Sequence, residues 1–446
     1  MTITYGSTPG TEVILKGQSI TGVEVGMEEL LVIFGRGDPS SGTAATNTPT
    51  QITSADDAET KFGADTELAN GCRDALNNGA NNGYLYGVMP STTAVTGESH
   101  AGTQSFTLGN APIIEDTAEI TVTDTTAGTD LDVEYHYGSL ATPSSTDTAY
   151  VNPFTGDVET DASSDFEIDY KYLEWRGAFD SADMVLNEGD SGVYVALSEA
   201  ESVASALAGK AQSLRNPDYK MVKAFAGAEP NATTSESPPT PMYDTTTYED
   251  AVDALPQWLA APVRQDDTTE TLLGALAGIG AGNALTNPIL GDALTGVTLE
   301  TGKNDEGRLT KADRDNLRDG QVIPIKSEGS ITVDGSSSTS TEADWRRTYQ
   351  TVRVVDRCVL LVKAVGDAVY GQLDTSDREQ IAAQTAQGEL EDLAADGLLE
   401  ANTQDETNLY VRPAETDQGE IALEMGVTPI QAVSTFRATV NIDTQG

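Results

Sequence analysis

The run Leu30-Leu31-Val32-Ile33-Phe34-Gly35 constrains the fold of this chain more than any other stretch. It is short, continuously apolar and without a polar position, so it reads as a strand with no wet face. Such strands sit in layers covered by helices on both sides. The sequence supplies those helices. Ser54 caps one from about Ser54 to Phe62 with Asp57 behind it, and Glu67–Asn77 places Leu68, Cys72 and Leu76 along a second. Tyr84-Leu85-Tyr86-Gly87-Val88 is the next strand.

After Pro90 the composition changes. From Ser91 to about Trp175 the chain is rich in Thr, Ser, Asp and Gly, and its apolar residues alternate with period two. Leu131, Val133, Tyr135 and Tyr137 fall on one face, as do Phe166, Ile168, Tyr170 and Tyr172, with a hairpin between strands at Asn152–Asp157. A small antiparallel β domain with one wet face is predicted here, inserted into the α/β pattern.

That pattern then resumes. Ser198-Glu199-Ala200-Glu201 reads as a capping box opening a helix with Val203, Leu207, Ala211 and Leu214 on one face. Lys220–Phe225 reads as a strand, Val252, Leu255, Trp258 and Leu259 as a helix, Pro262-Val263-Arg264 as a strand, and Leu272–Ile279 as the start of a helix. From Arg308 to Tyr370 the order is a polar helix that Gly320 ends, short strands at Gln321–Ile325 and Ser330–Val333, a Ser/Thr spacer, Trp345-Arg346-Arg347, a further extended piece and an apolar helix from about Val354. On that helix Val355, Val359, Val362, Gly366 and Val369 form a stripe, with Asp356, Lys363 and Asp367 away from it. Ser376-Asp377-Arg378-Glu379 opens another helix that Gly397 stops, and three strands follow, the last from Ala432 to Ile442.

No motif carries catalytic or cofactor chemistry. His100, read in a loop, and His136, read on the polar face of a strand, have no partners at metal-ligand spacing and cannot be assembled into a nucleophile triad. There is no phosphate-binding P-loop. Gly278-Ile279-Gly280-Ala281-Gly282 has glycine spacing like a dinucleotide fingerprint, but helix-like Leu272–Leu276 precedes it where that motif needs a strand, so a close-packed helix end is the better reading. The acids Asp305, Glu306, Asp313, Asp315 and Asp319 lack calcium-loop spacing. Cys72 and Cys358 read as buried thiols. Paired carboxylates of a hydrolase remain as an alternative, because 71 acidic residues always supply pairs, yet nothing singles one out.

The formal net charge is −46 and the pI about 4.1. Spread over roughly 16,000 Å² of surface, net charges would stand about 19 Å apart. A Debye length of ~10 Å at 0.1 M salt leaves them partly coupled, whereas ~3 Å at 1 M silences them. A folded protein from a halophile is therefore expected, and direct nucleic-acid binding is not. No signal peptide precedes the first strand and no apolar run is long enough to span a membrane, which predicts a soluble chain made in the cytoplasm, with no membrane insertion.

Residues 1 to 25 read as an arm of extended pieces, including Val13, Ile14, Leu15, Ile20 and Val23, although the same pieces suit an edge strand folded back on its own domain. The last strand places Phe436, Ala438, Val440 and Ile442 on one face. The element order of 308–370, together with Pro9-Gly10-Thr11-Glu12-Val13, resembles the contractile tail sheath proteins of tailed viruses and related injection machines. That resemblance implies a multidomain α+β / α/β fold: an N-terminal arm at 1–25, a sheath-type core at 26–90 and 176–305, an inserted outer β domain at 91–175, and a C-terminal domain with a strand arm at 306–446. It further implies a non-enzymatic, cofactor-free and metal-free subunit in the virion tail, assembled in the host cytoplasm. Such a subunit polymerises helically with itself around an inner tail tube, meets baseplate and tail terminator proteins, and contracts to drive the tube through an envelope. With the acidity, a virus of haloarchaea is expected; a halophilic tube, capsid or surface-layer protein is the alternative.

Overall fold

The computed structural model describes residues 29–430 except 82, 188, 216–218, 230–256, 261–271, 299–310, 328–329, 339–347, 369–375, 405 and 415–421. The two arms, with Val13, Ile14, Leu15, Ile20, Val23, Phe436, Ala438, Val440 and Ile442, lie outside the described residues, as do Pro262-Val263-Arg264 and Trp345-Arg346-Arg347.

The buried run forms β1 (Leu30–Phe34), followed by β2 (Thr50–Gln51), α1 (Ala55–Phe62), α2 (Glu67–Asn77) and β3 (Leu85–Val88). Next come β4 (Ser91–Thr107), β5 (Ile120–Asp124), β6 (Thr129–Tyr135), β7 (Thr148–Val151) and β8 (Asp157–Glu174). The chain returns through α3 (Trp175–Ser181), β9 (Ser191–Ala196), α4 (Glu201–Arg215), β10 (Met221–Gly227) and β11 (Gln257–Ala260). Then follow α5 (Leu273–Gly282), α6 (Lys311–Asp319), β12 (Val322–Ile323), β13 (Ile325–Ser327) and β14 (Ile331–Val333). The last elements are α7 (Tyr349–Asp367), α8 (Ser376–Ala395), β15 (Leu409–Ala414) and β16 (Ala422–Val427).

The main sheet has the order β12-β11-β10-β9-β1-β3-β2, parallel but for the edge pair β2–β3. Strand alternation sends Leu31 and Ile33 to one core with α2 and α5, and Leu30, Val32 and Phe34 to another with α3 and α4. Both faces are covered, as an all-apolar strand requires.

The helix over α2 is held unusually close. A Cβ at Gly274, Gly278 or Gly282 of α5 would stand 2.4, 2.3 or 2.2 Å from the carbonyl oxygens of Gly71, Ala75 and Gly79. The glycines are thus a packing device between two helices, as the close-packed reading expects.

Residues 91–174 form a separate sheet, β4-β8-β5-β6-β7, in which β7 also pairs with β8 and so closes a small barrel. It departs from the antiparallel expectation at β6–β7, which is parallel. The long connection between these strands permits that, since a tight turn cannot join parallel neighbours. His100 lies in β4 rather than a loop, stacked on Phe106 at 4.2 Å, and His136 just follows β6, against Tyr150.

Other expectations need correction. Residues 257–260 are strand, not helix, because Trp258 is fully buried between β10 and β12 against Phe225 and Tyr349; the sheet overrides a helix-like spacing. The helix expected from Val354 starts at Tyr349, capped by Thr348, so no extended piece intervenes. Asp356 and Lys363, placed away from its apolar stripe, are nonetheless buried. The capping box at Ser198 does not form: α4 begins at Glu201, whose N–H donates to the Glu229 carboxylate at 3.3 Å. Cys72 and Cys358 are buried and free; burial pushes the Cys72 thiol well up and that of Cys358 to about 12.

Candidate functional site

In doubly wound sheets ligands bind beyond the carboxyl ends of the strands where the winding direction reverses. Here that point lies between β1 and β9, since β3 and β9 flank β1 on opposite sides. A crevice of about 790 Å³ opens there, between Arg36–Pro39 after β1, Leu197–Glu199 after β9, the start of α2, and the barrel.

Its chemistry is unsuited to a phosphate. The N-terminal donors of α2, a natural anion site, are already taken: Leu68 N–H donates to the Arg36 carbonyl and Ala69 N–H to the capping Thr66 hydroxyl, while the Glu67 side chain accepts the Arg36 N–H at 2.9 Å. Asp38, Asp65, Glu115, Glu119 and Glu199 also line the space, against the cations Arg36 and Lys171. Both cations are engaged: Arg36 lies 3.4 Å from Asp116 and 3.7 Å from Glu119, and Lys171 lies 2.5 Å from Glu119. This ladder joins the main sheet to the barrel. Asp38 is held at about 2 by hydrogen bonds from the Ser40 and Ser41 hydroxyls and the Ser40 N–H. Beside the crevice, burial pushes the Glu229 carboxyl up to about 7, against the Glu201 N–H and with the repulsion of Glu201, Glu199 and Asp157. Among the described residues no group of His, Cys, Asp and Glu is arranged to hold a metal, and no helix is long and apolar enough to cross a membrane.

A second feature concerns the backbone. β15 and β16 pair only with each other among the described residues. Their apolar face, with Leu409, Val411, Leu423, Met425 and Val427, packs on α7 and α8. On the polar face Arg412 Nη2 lies 2.7 Å from Glu424, to which Tyr410 donates at 3.0 Å.

The two outer edges are not equivalent. Leu409 N–H donates to Asn402 Oδ1 at 2.9 Å and Val411 N–H to Gln387 Oε1 at 2.8 Å, so the odd-numbered residues of β15 face outward. The next outward position is Pro413, which has no N–H. That edge is closed. By antiparallel alternation, Leu423, Met425 and Val427 turn their N–H and C=O groups outward on β16, where no hydrogen-bond partner occupies them among the described residues. Along the sequence, Pro413 is the one signal that distinguishes these two edges.

No protein-family model and no curated protein matches the sequence. Among solved structures, the chain is similar to the helical sheath of the anti-feeding prophage in its contracted state, at 14% identity and a TM-score of 0.57, covering 98% of this chain and 100% of that one. A chain of the anti-feeding prophage baseplate is similar at 14% identity and a TM-score of 0.58, with the same coverage. The sheath tail protein of Desulfitobacterium hafniense is similar at 14% identity and a TM-score of 0.51, covering 93% of this chain and 100% of that one. The chain has the fold of the contractile sheath proteins.

Proposed function

We propose that this chain is the structural subunit of a contractile sheath, polymerising helically around an inner tube and shortening to drive that tube through an envelope. The observation that carries the proposal is the open edge of β16 among the described residues, in a chain whose crevice is lined by its own carboxylates. An unpaired edge on an otherwise well-packed unit is a liability unless a strand is meant to occupy it. The segment beyond Ile430 supplies a candidate in a second copy of the chain. Phe436, Ala438, Val440 and Ile442 would extend the apolar face of Leu423, Met425 and Val427, and Arg437 would follow Glu424 on the polar face. Residues 1 to 25, with Val13, Ile14, Leu15, Ile20 and Val23, are the second linking strand.

Head-to-tail contacts that do not close give filaments, and backbone pairing can persist while domains rotate as rigid bodies. No nucleotide is needed if the energy lies in the difference between two packings. The inner tube, baseplate and terminator are the other partners, and the barrel at 91–174 is the outward-facing domain. The acidity supports an assembly that works in brine, and with it the reading of a haloarchaeal virus tail.

Mirror-image proline substitutions test the proposal. Met425→Pro removes an outward N–H from the open edge, and Val411→Pro removes one from the closed edge. Negative-stain microscopy in multimolar salt should show hollow striated cylinders for wild type and Val411→Pro, and folded monomers for Met425→Pro. Flat lattices would favour a surface layer, and wild-type monomers at every salt concentration would refute assembly altogether.

A further inference from the structure

Among the described residues, the interior of this acidic chain contains a cluster of three cations and two anions. Glu29, Arg215, Lys223, Arg353 and Asp356 are all at most 7% exposed. They come from the residue before β1, the end of α4, the middle of β10 and one face of α7. Glu29 Oε1 lies 2.9 Å from Lys223 Nζ and 3.1 Å from Arg353 Nε, and its other oxygen lies 3.2 Å from the Tyr349 hydroxyl. Asp356 takes Arg215 at 3.1 Å and Lys223 at 3.5 Å. Arg353 also donates to the carbonyl of Asn283 at 2.7 Å, and Lys223 to Ser191 at 2.6 Å.

Two properties single out Glu29. Among the described residues it is one of two carboxylates facing three buried cations, so removing it leaves Asp356 alone against them, and a buried ion deprived of its partner is strongly unfavourable. It is also the last residue before the central strand, where any pull on the preceding segment enters the fold. Tyr349 and Arg353, four residues apart on α7, grip it together. A neighbouring face of that helix, at Val354, Cys358 and Leu361, packs against α8 and the β15–β16 hairpin.

We propose that Glu29 is a mechanical lock: tension on the segment before it passes through Arg353 into α7, and so to the unit bearing the hairpin, instead of peeling β1 from the sheet. A subunit pulled at one strand and holding another would then move as one body. Ionic clusters of this kind are weak contributors to stability and effective at fixing one arrangement, and burial keeps this one from being screened by salt. From the preceding reading the lock takes only that the first segment is pulled.

Single-molecule pulling on isolated full-length chains tests it, whether or not they assemble. One handle is placed at the N-terminus and the other at Asp392→Cys, on the exposed side of α8. Before rupture the wild-type chain should lengthen by no more than the segment ahead of Glu29, about 95 Å at ~3.4 Å per residue. Glu29→Gln should lower the rupture force at least twofold and release β1 in the same step, at 0.5 M and at 3 M salt alike. Should that variant fail to fold, Glu29→Met with Arg353→Met replaces the pair by apolar groups of similar length. It should keep the wild-type melting temperature and still rupture at the lower force. A wild-type rupture force in either variant overturns the lock.

Discussion

Replacing Gly278 by alanine should destabilise the protein, although alanine is the better helix former. The added methyl would sit 2.3 Å from the Ala75 carbonyl oxygen and 2.8 Å from its Cα, both backbone atoms that no side-chain rotation can move. An ordinary contact is about 1 Å longer, so α5 must lift from α2 or bend. Overpacking of this kind costs about 1–3 kcal/mol, and the backbone contact puts Gly278 at the upper end. The helix propensity of alanine returns about 1 kcal/mol. The net loss is about 2 kcal/mol, or roughly 4–8 °C in melting temperature for a cooperative unit of ~200 residues. Gly209 is the matched control: it lies mid-helix in α4, exposed, with nothing within 4 Å of an added Cβ. There the identical change should stabilise by about 0.5–1 kcal/mol. Differential scanning fluorimetry at fixed high salt reads both. Equal shifts, or a Gly278→Ala protein at least as stable as wild type, would refute the packing argument.

Stability should also follow pH in two limbs. Glu229 binds its proton more tightly folded than unfolded, so stability rises as pH falls from above 7 towards 4.5, by about 3 kcal/mol at most. Glu229→Gln should flatten that limb in urea titrations. Glu29 behaves oppositely: burial raises its pKa, but Arg353 and Lys223 outweigh burial and hold it at about 2. Its contribution is complete above about 4.5 and lost as pH falls towards 2, so acid unfolding should begin in that window and start at higher pH when Arg353 is replaced by methionine. Raising salt from 0.2 to 3 M should raise the melting temperature of wild type, as screening quiets the net charge of −46; an unchanged value would count against adaptation to brine.

The elements legible in the sequence were those whose local pattern and tertiary role agree. Leu30–Phe34 announced a strand covered on both faces because no other placement hides five apolar side chains in a row. The glycines of 278–282 announced close packing, though Ala75 and Gly79, which Gly278 and Gly282 meet, are some two hundred residues away. What failed were features made by distant neighbours. Trp258 has helix-like spacing, yet the sheet it completes decides its conformation. The cap of α4 comes from Glu229, across a strand, rather than from Ser198 nearby. The crevice and the ionic cluster draw on many separate segments, and no window along the chain contains either one.

The closed edge of β15 bears on how concentrated this chain can safely become. Cross-β fibres grow because every added strand offers a fresh unpaired side to the next. With Asn402, Gln387 and Pro413 guarding one flank, two hairpins can meet through β16 but cannot recruit a third. A solution crowded with such subunits would thus be shielded from runaway aggregation by a proline and two amides.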